Sequence, residues 1–215
     1  MKRIVFFLSC VLFVSNANAQ LSTENWLATQ FGVQLKKYVV QADFGYRFQD
    51  FRLSHARQTL GRIAFLRKIN DMAYGAGFAS FQHIRSNSEF VNENRPFVQA
   101  EFRKQKTRVS VQSRFRHEFR FFENEALRQR SRIKLDFRIG KGHLQLFTAQ
   151  ELFVTHAKGH LFETRTQLGF AVNLPGEQQI LTFYQLNYNS LNQQHLIHVL
   201  GLNYNKRITI QDDQH

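Results

Sequence analysis

Histidines and arginines are the residues in this chain best suited to chemistry. There are nine histidines. His117 stands beside Glu118, and His156 and His160 follow in an H-x-x-x-H pair with Glu163 nearby. Such a pair grips a metal ion when a helix turns both imidazoles to one face. Here it falls in a connector between extended runs, so no metal site and no cofactor is assigned. Hydrolysis by a Ser–His or His–Asp pair needs neighbours in space, which the spacing along the chain does not provide. No catalytic residue is assigned either. The glycines of YGAGF (74–78) precede no helix. They are read as relief of crowding in a curved strand rather than as a phosphate cradle.

The arginines form a pattern. In RVSVQSRFRHEFRFF (108–122) the even positions hold Arg108, Arg114, Arg116, Glu118 and Arg120, and the odd ones hold Val109, Val111, Phe115 and Phe119. In LRQRSRIKLDFRI (127–139) Arg128, Arg130, Arg132, Lys134, Asp136 and Arg138 alternate with Leu127, Ile133, Leu135, Phe137 and Ile139. A period of two is that of a β-strand, so one face of each run is basic and the other apolar.

The elements that must carry these rows are strands throughout. Alternating runs recur at 26–35, 38–48, 58–69, 72–84, 96–104, 107–120, 127–139, 143–154, 161–173, 178–190 and 195–205. Most are long enough for a tilted membrane crossing, which takes about 9–11 residues. Tight connections fall at Lys36-Lys37, Asn70-Asp71, Gln105-Lys106, Gly140-Lys141-Gly142 and Pro175-Gly176-Glu177, and longer polar ones at 49–57 and 85–95. Alternating short turns and long loops mark an up-and-down barrel of the outer-membrane kind. The runs number eleven, whereas single-chain bacterial barrels have an even count. Ten or twelve strands are therefore expected.

Energetics assign the faces. A cationic side chain on the lipid face costs about 2–4 kcal/mol at the bilayer midplane. Two or three of them would consume much of a domain's net stability of about 5–15 kcal/mol. The basic face must see water or opposite charge, and the apolar face can see lipid. The 23 Phe are then expected to coat the wall and its rims. A soluble barrel with the faces reversed would look alike over one or two strands, but not over so many long ones.

The N-terminus reads as a cleaved secretion signal over residues 1–19. Lys2 and Arg3 precede an apolar stretch, Ile4 to Val14, and Ala17-Asn18-Ala19 forms a small-residue cleavage site. The apolar stretch is shorter than the ~20 residues a helix needs to span. Residues 20–215 form one barrel domain. Cys10, the sole cysteine, lies in the leader, so the exported chain has no disulfide or thiol chemistry. A net charge of +13 suits nucleic acid, but export and strict strand periodicity exclude that partner.

Several stretches resemble the family called domain of unknown function 2490. These are Trp26 soon after the leader, Glu93-Asn94-Arg95, SRFRHEFRF (113–121), RSRIKLDFRI (130–139), QELF (150–153) and LGLNYN (200–205). The resemblance covers nearly the whole exported chain and implies an outer-membrane barrel with no assigned activity. Arg95-Pro96 and the polar tail ITIQDDQH (208–215) depart from it. Barrels commonly end on an aromatic residue, and Tyr204 is the nearest candidate.

Taken together, the sequence predicts an all-β fold: a single antiparallel transmembrane barrel in a bacterial outer membrane. Its lumen-facing cations are Arg103, Arg108, Arg114, Arg116, Arg120, Arg128, Arg130, Arg132, Lys134, Arg138 and Arg165. Glu101, Glu118, Asp136, Glu151 and Glu163 lie among them. Such a lumen favours anionic solutes in a small porin-like or binding barrel. The alternatives are a structural barrel plugged by its own side chains and a membrane-embedded hydrolase at the outer rim. Expected partners are outer-membrane lipid and lipopolysaccharide, the barrel-assembly machinery during insertion, and an anionic solute.

Overall fold

The computed structural model describes residues 22–49, 53, 56–84, 89–123, 126–140, 142–157, 159–189 and 195–210. The leader with Cys10, much of the 49–57 connector and the end of the polar tail lie outside the described residues. Each alternating run becomes one strand: β1 (Ser22–Leu35), β2 (Tyr38–Phe48), β3 (Ala56–Ile69), β4 (Met72–Ile84), β5 (Phe90–Gln105), β6 (Val109–Phe122), β7 (Arg128–Ile139), β8 (Leu144–Ala157), β9 (Gly159–Leu174), β10 (Gln178–Asn189) and β11 (His195–Ile210). Each strand pairs with its neighbours in sequence, and the sheet closes into a barrel where β1 meets β11.

The count among the described residues is eleven, between the ten and twelve expected. Parity has a consequence. Each antiparallel neighbour reverses direction, so an odd number leaves one seam where both strands run the same way. That seam is β1–β11, parallel from Ser22↔Ile197 to Leu35↔Ile210. The other seams are antiparallel, so the sheet departs from the wholly antiparallel expectation at this one place. Ser22 therefore opens on the rim of the longer loops, and Ile210 ends on the rim of the short turns. A Thr23→Cys variant and an Ile210→Cys variant should react with a membrane-impermeant maleimide from opposite faces of an oriented membrane. Labelling of both from one face would contradict the parallel seam.

The short turns fall where the sequence places them. Lys36 and Asn70 take φ of 51° and 52° at the heads of two tight hairpins, and Gly142 and Gly176 take 74° and 72°. Two boundaries shift. The 85–95 segment is not all connector, because β5 begins at Phe90. Asn92 and Asn94 point outward there, and these polar outer residues hide the alternation. At the other end, Ile208 and Ile210 are exposed on the outer face and extend β11 beyond the expected closing stretch.

The exposures separate this barrel from its soluble rival. On β7, Ile133 and Ile139 are 49% and 57% exposed while Arg130 is 6% exposed. The outside is an apolar belt, with Phe44, Phe65, Phe78, Phe115 and Phe170 among its members. A belt of that kind sheds water and fits lipid. The phenylalanines do not all lie there. Phe81, Phe97, Phe147, Phe153 and Phe183 are buried inside. Their rings lie along the inner wall where the adjacent strand offers space. Phe97 faces Gly77, and Phe183 lies between Gly169 and Gly201. A Cβ on Gly77 would meet Phe97 Cζ at 2.4 Å, and one on Gly201 would meet Phe183 Cζ at 2.0 Å. Gly77 of YGAGF thus relieves crowding, as expected, by admitting a ring from the next strand, while Gly75 lets the β3 backbone at Phe65 and Leu66 approach.

Candidate functional site

Inside the barrel the strand period places the charged rows in register. Glu118 faces Arg130, Arg114 faces Lys134, Lys134 faces Glu151, and Glu151 faces Arg165 across successive seams. Because the carboxylates are few, Glu118 and Glu151 each collect several guanidinium groups. Glu118 accepts from Arg130 Nη2 at 2.6 Å and Arg132 Nη1 at 3.3 Å, with Arg95 and Arg116 each 3.9 Å away. Glu151 lies 2.5 Å from Arg132 Nη2, 3.8 Å from Arg114 and 3.9 Å from Arg165. Arg165 also donates to Glu163 at 2.5 Å.

Glu93 anchors the same network toward the long-loop rim. Arg95 grips both of its oxygens at 2.5 Å, Arg120 Nε donates at 2.5 Å, and His83 Nε2 lies 2.9 Å away. The buried rings serve as platforms beneath the cations. Arg95 sits 3.7 Å over Phe81, Arg116 4.2 Å over Phe97, and Arg165 4.3 Å over Phe153. Planar guanidinium groups stack on aromatic faces while their forks bind carboxylates.

Toward the short-turn rim the chemistry changes. Arg103 donates to Gln112 at 2.9 Å, and Arg138 donates to Gln179 at 2.8 Å. Gln179 in turn donates to Asn173 at 2.7 Å. Arg207 is exposed on the inner face of β11, within electrostatic reach of both arginines. Among the described residues no carboxylate comes within 4.0 Å of any of the three. Nearby Asp136 is engaged by Lys134 at 3.1 Å, and Glu101 accepts from Gln99 and Gln112. This layer is tethered by neutral amides and keeps its positive charge.

One cavity of about 1290 Å³ links the two layers. It reaches from Glu24, Arg57 and Asn187 at the long-loop rim to Asp71, Glu177 and Thr209 at the other, and about twice as many Lys and Arg as Asp and Glu line it. Trp26, the sole tryptophan, also lines it, donating to Glu24 at 2.9 Å beneath Arg47 at 3.8 Å. The ratio of iodide to caesium quenching should be several-fold higher in the folded barrel than for free tryptophan, since a basic lumen concentrates anions. A ratio equal to that of free tryptophan would show that no such field reaches Trp26.

The structure turns Arg103, Arg114, Arg116, Arg120, Arg130, Arg132, Lys134, Arg138, Arg165, Glu101, Glu118, Asp136, Glu151 and Glu163 inward. Two expected lumen residues are placed elsewhere. Arg108 lies exposed in the turn between β5 and β6. Arg128 is exposed at the first position of β7, 5.2 Å over the Phe122 ring. Arg108 falls beyond the strand, where the period no longer specifies a face, whereas Arg128 keeps the inner face opposite Arg120 but at the exposed rim, outside the packed lumen. Residues outside the expected set include Glu93, Arg95, Arg207 and the Arg62–Asp43 pair at 2.5 Å. The signal for Arg62 was weak because its inner face on β3 also carries Leu60 and Leu66, which belong to or pack on an apolar cluster around Phe81 and Phe97.

The outer wall also holds a polar constellation of three side chains. His117 Nδ1 lies 3.0 Å from Ser131 Oγ, which lies 3.1 Å from His156 Nε2. His156 belongs to β8 rather than to a connector, and the His160 side chain lies outside the described residues. Among the described residues no three His, Cys, Asp or Glu side chains converge to hold a metal ion.

Part of the barrel is similar to OmpT, an outer membrane protein of Vibrio cholerae. The in-vitro folded trimer form is 12% identical with a TM-score of 0.47, over 74% of this chain and 53% of that one. The outer-membrane expressed form is 13% identical with a TM-score of 0.47, over 73% and 52%. A loop L8 deletion mutant is 13% identical with a TM-score of 0.46, over 78% and 59%. The chain thus spans little more than half the length of those proteins. Among curated proteins none matches this sequence. Residues 19–210 match the family described as "Protein of unknown function (DUF2490)", and the chain belongs to that family.

Proposed function

We propose that this protein is a small outer-membrane barrel whose basic lumen passes or holds anionic solutes. The observation that carries the reading is the continuous cavity, lined from rim to rim with an excess of cations. A confined basic lumen focuses its field and concentrates anions. The layer of Arg103, Arg138 and Arg207, where no guanidinium is ion-paired among the described residues, is the natural point of anion contact. Lipid and lipopolysaccharide would cover the apolar belt, and the barrel-assembly machinery would insert it from the periplasm.

Conductance and ion selectivity of the purified, refolded chain in planar bilayers test this reading. Anion-selective steps support it, and a folded barrel with no conductance and no anion binding refutes it. The network around Glu93 and Glu118 favours a second reading, a lumen closed by its own side chains.

A further inference from the structure

We propose that Ser131, His117 and His156 form a nucleophilic site on the lipid-facing wall that hydrolyses acyl esters of membrane lipids. This inference is independent of the lumen and stands or falls without it. The three residues come from three adjacent strands. His117 on β6 faces Ser131 on β7 directly, and His156 on β8 faces Gln129, the next outward residue of β7. All three side chains share the outer face with Phe115, Ile133 and Leu152, which are exposed. Ser131 lies three residues from the start of β7, about 10 Å along the strand from the long-loop rim at ~3.3 Å per residue. That depth is where acyl ester bonds of a lipid meet the hydrocarbon. The substrate class follows from this location on an apolar wall beside the rim, within reach both of lipid and of the water that deacylation needs.

Polar and ionisable groups on a lipid-exposed wall oppose burial in lipid, and such groups are functional candidates by default. The hydrogen bonds set their roles. A hydroxyl carries one proton, so Ser131 donates to one imidazole and accepts from the other. His117 is half-buried with its ring edge-on to Phe119 at 4.9 Å, which suits a fixed donor that orients the hydroxyl. His156 is exposed and suits the base, which must pass its proton onward.

In the first step Ser131 Oγ attacks the acyl carbonyl carbon and gives its proton to His156 Nε2. The bond from that carbon to the glycerol oxygen breaks, and the leaving alcohol takes the proton from His156. Water then attacks the acyl-serine, His156 receives its proton, and the fatty acid leaves as Ser131 recovers its hydrogen. Gln129, exposed one step nearer the rim, supplies an amide N–H for the negative oxygen that forms at the carbonyl.

The refolded full chain, in mixed micelles of phosphatidylethanolamine, tests this by release of fatty acid and by covalent labelling with a fluorophosphonate. The folded wild type should release fatty acid and carry the label on Ser131. Ser131→Ala should lose the label, and both it and His156→Gln should lose roughly 1,000-fold in turnover. His117→Gln should lose on the order of tenfold. These residues face outward, so heat-modifiable migration on gels should report an intact barrel in every variant. A folded wild type that neither releases fatty acid nor takes label overturns the proposal. So does turnover that survives Ser131→Ala or His156→Gln.

Discussion

Glu118→Ala is expected to destabilise the folded barrel by about 3–5 kcal/mol, the cost of breaking a buried ion pair by removing one partner. The carboxylate is 2% exposed and stands between Arg130, Arg132, Arg95 and Arg116. Its loss leaves Arg130, itself 6% exposed, without its carboxylate partner and takes one of two from Arg132. Arg116 keeps its hydrogen bonds to Gln99 at 2.9 and 2.5 Å and so suffers less. Urea unfolding in lipid vesicles, followed by the fluorescence of Trp26, measures the effect. Glu101→Ala is the control. That carboxylate accepts only from amides, and its loss should cost on the order of 1 kcal/mol. A Glu118→Ala cost no larger than the control would mean that water solvates these arginines and that this layer is open. A cost in the expected range makes it a closed structural network, with solute confined to the remaining cavity.

Replacing Arg103, Arg138 and Arg207 together by Gln should lower anion over cation selectivity by up to roughly a hundredfold. Each charge acts on an ion about 5 Å away with ~0.8 kcal/mol in water-like surroundings, reduced by screening at 0.1 M salt. The three sum to between one and two kcal/mol after screening, which is about a tenfold fall in local anion concentration and a matching rise in cation concentration. Folding should be little affected, since the partners of Arg103 and Arg138 are the neutral amides Gln112 and Gln179. Arg108→Gln and Arg128→Gln, on the rims, should leave selectivity within about twofold. If the rim variants alter selectivity as strongly as the triple variant, the inner layer does not set it.

These two experiments probe layers that the sequence did not separate. The rows at 108–122 and 127–139 show by their period which side chains share a face, and the wall places them accordingly, with Arg108 and Arg128 lost only where the strands end. Glu93 and Arg95 were left out of the lumen-facing set for a local reason. Their outward neighbours Asn92 and Asn94 are polar, so the stretch has no apolar face to reveal a strand. Arg207 lay beyond the run that ended at 205, where the tail looked too polar to continue the wall.

Alternation by itself determined that this chain is a barrel with a polar inside and an apolar outside. The cause is energetic: placing a row of cations in lipid costs more than a domain's stability can supply. The tight turns were equally legible, since Asn, Gly and the short polar pairs mark reversals wherever they interrupt a run. Period two says nothing about which residue of a distant strand stands opposite, or whether the number of strands closes evenly. Closure joined β1 to β11, more than 150 residues apart in the chain, as a parallel seam. It was the register between strands that collected arginines around Glu93, Glu118 and Glu151, left Arg103, Arg138 and Arg207 without acids, and set Ser131 between two histidines. A face is a property of one strand, whereas a site is made by the offsets among several, and those offsets exist only once the sheet has closed.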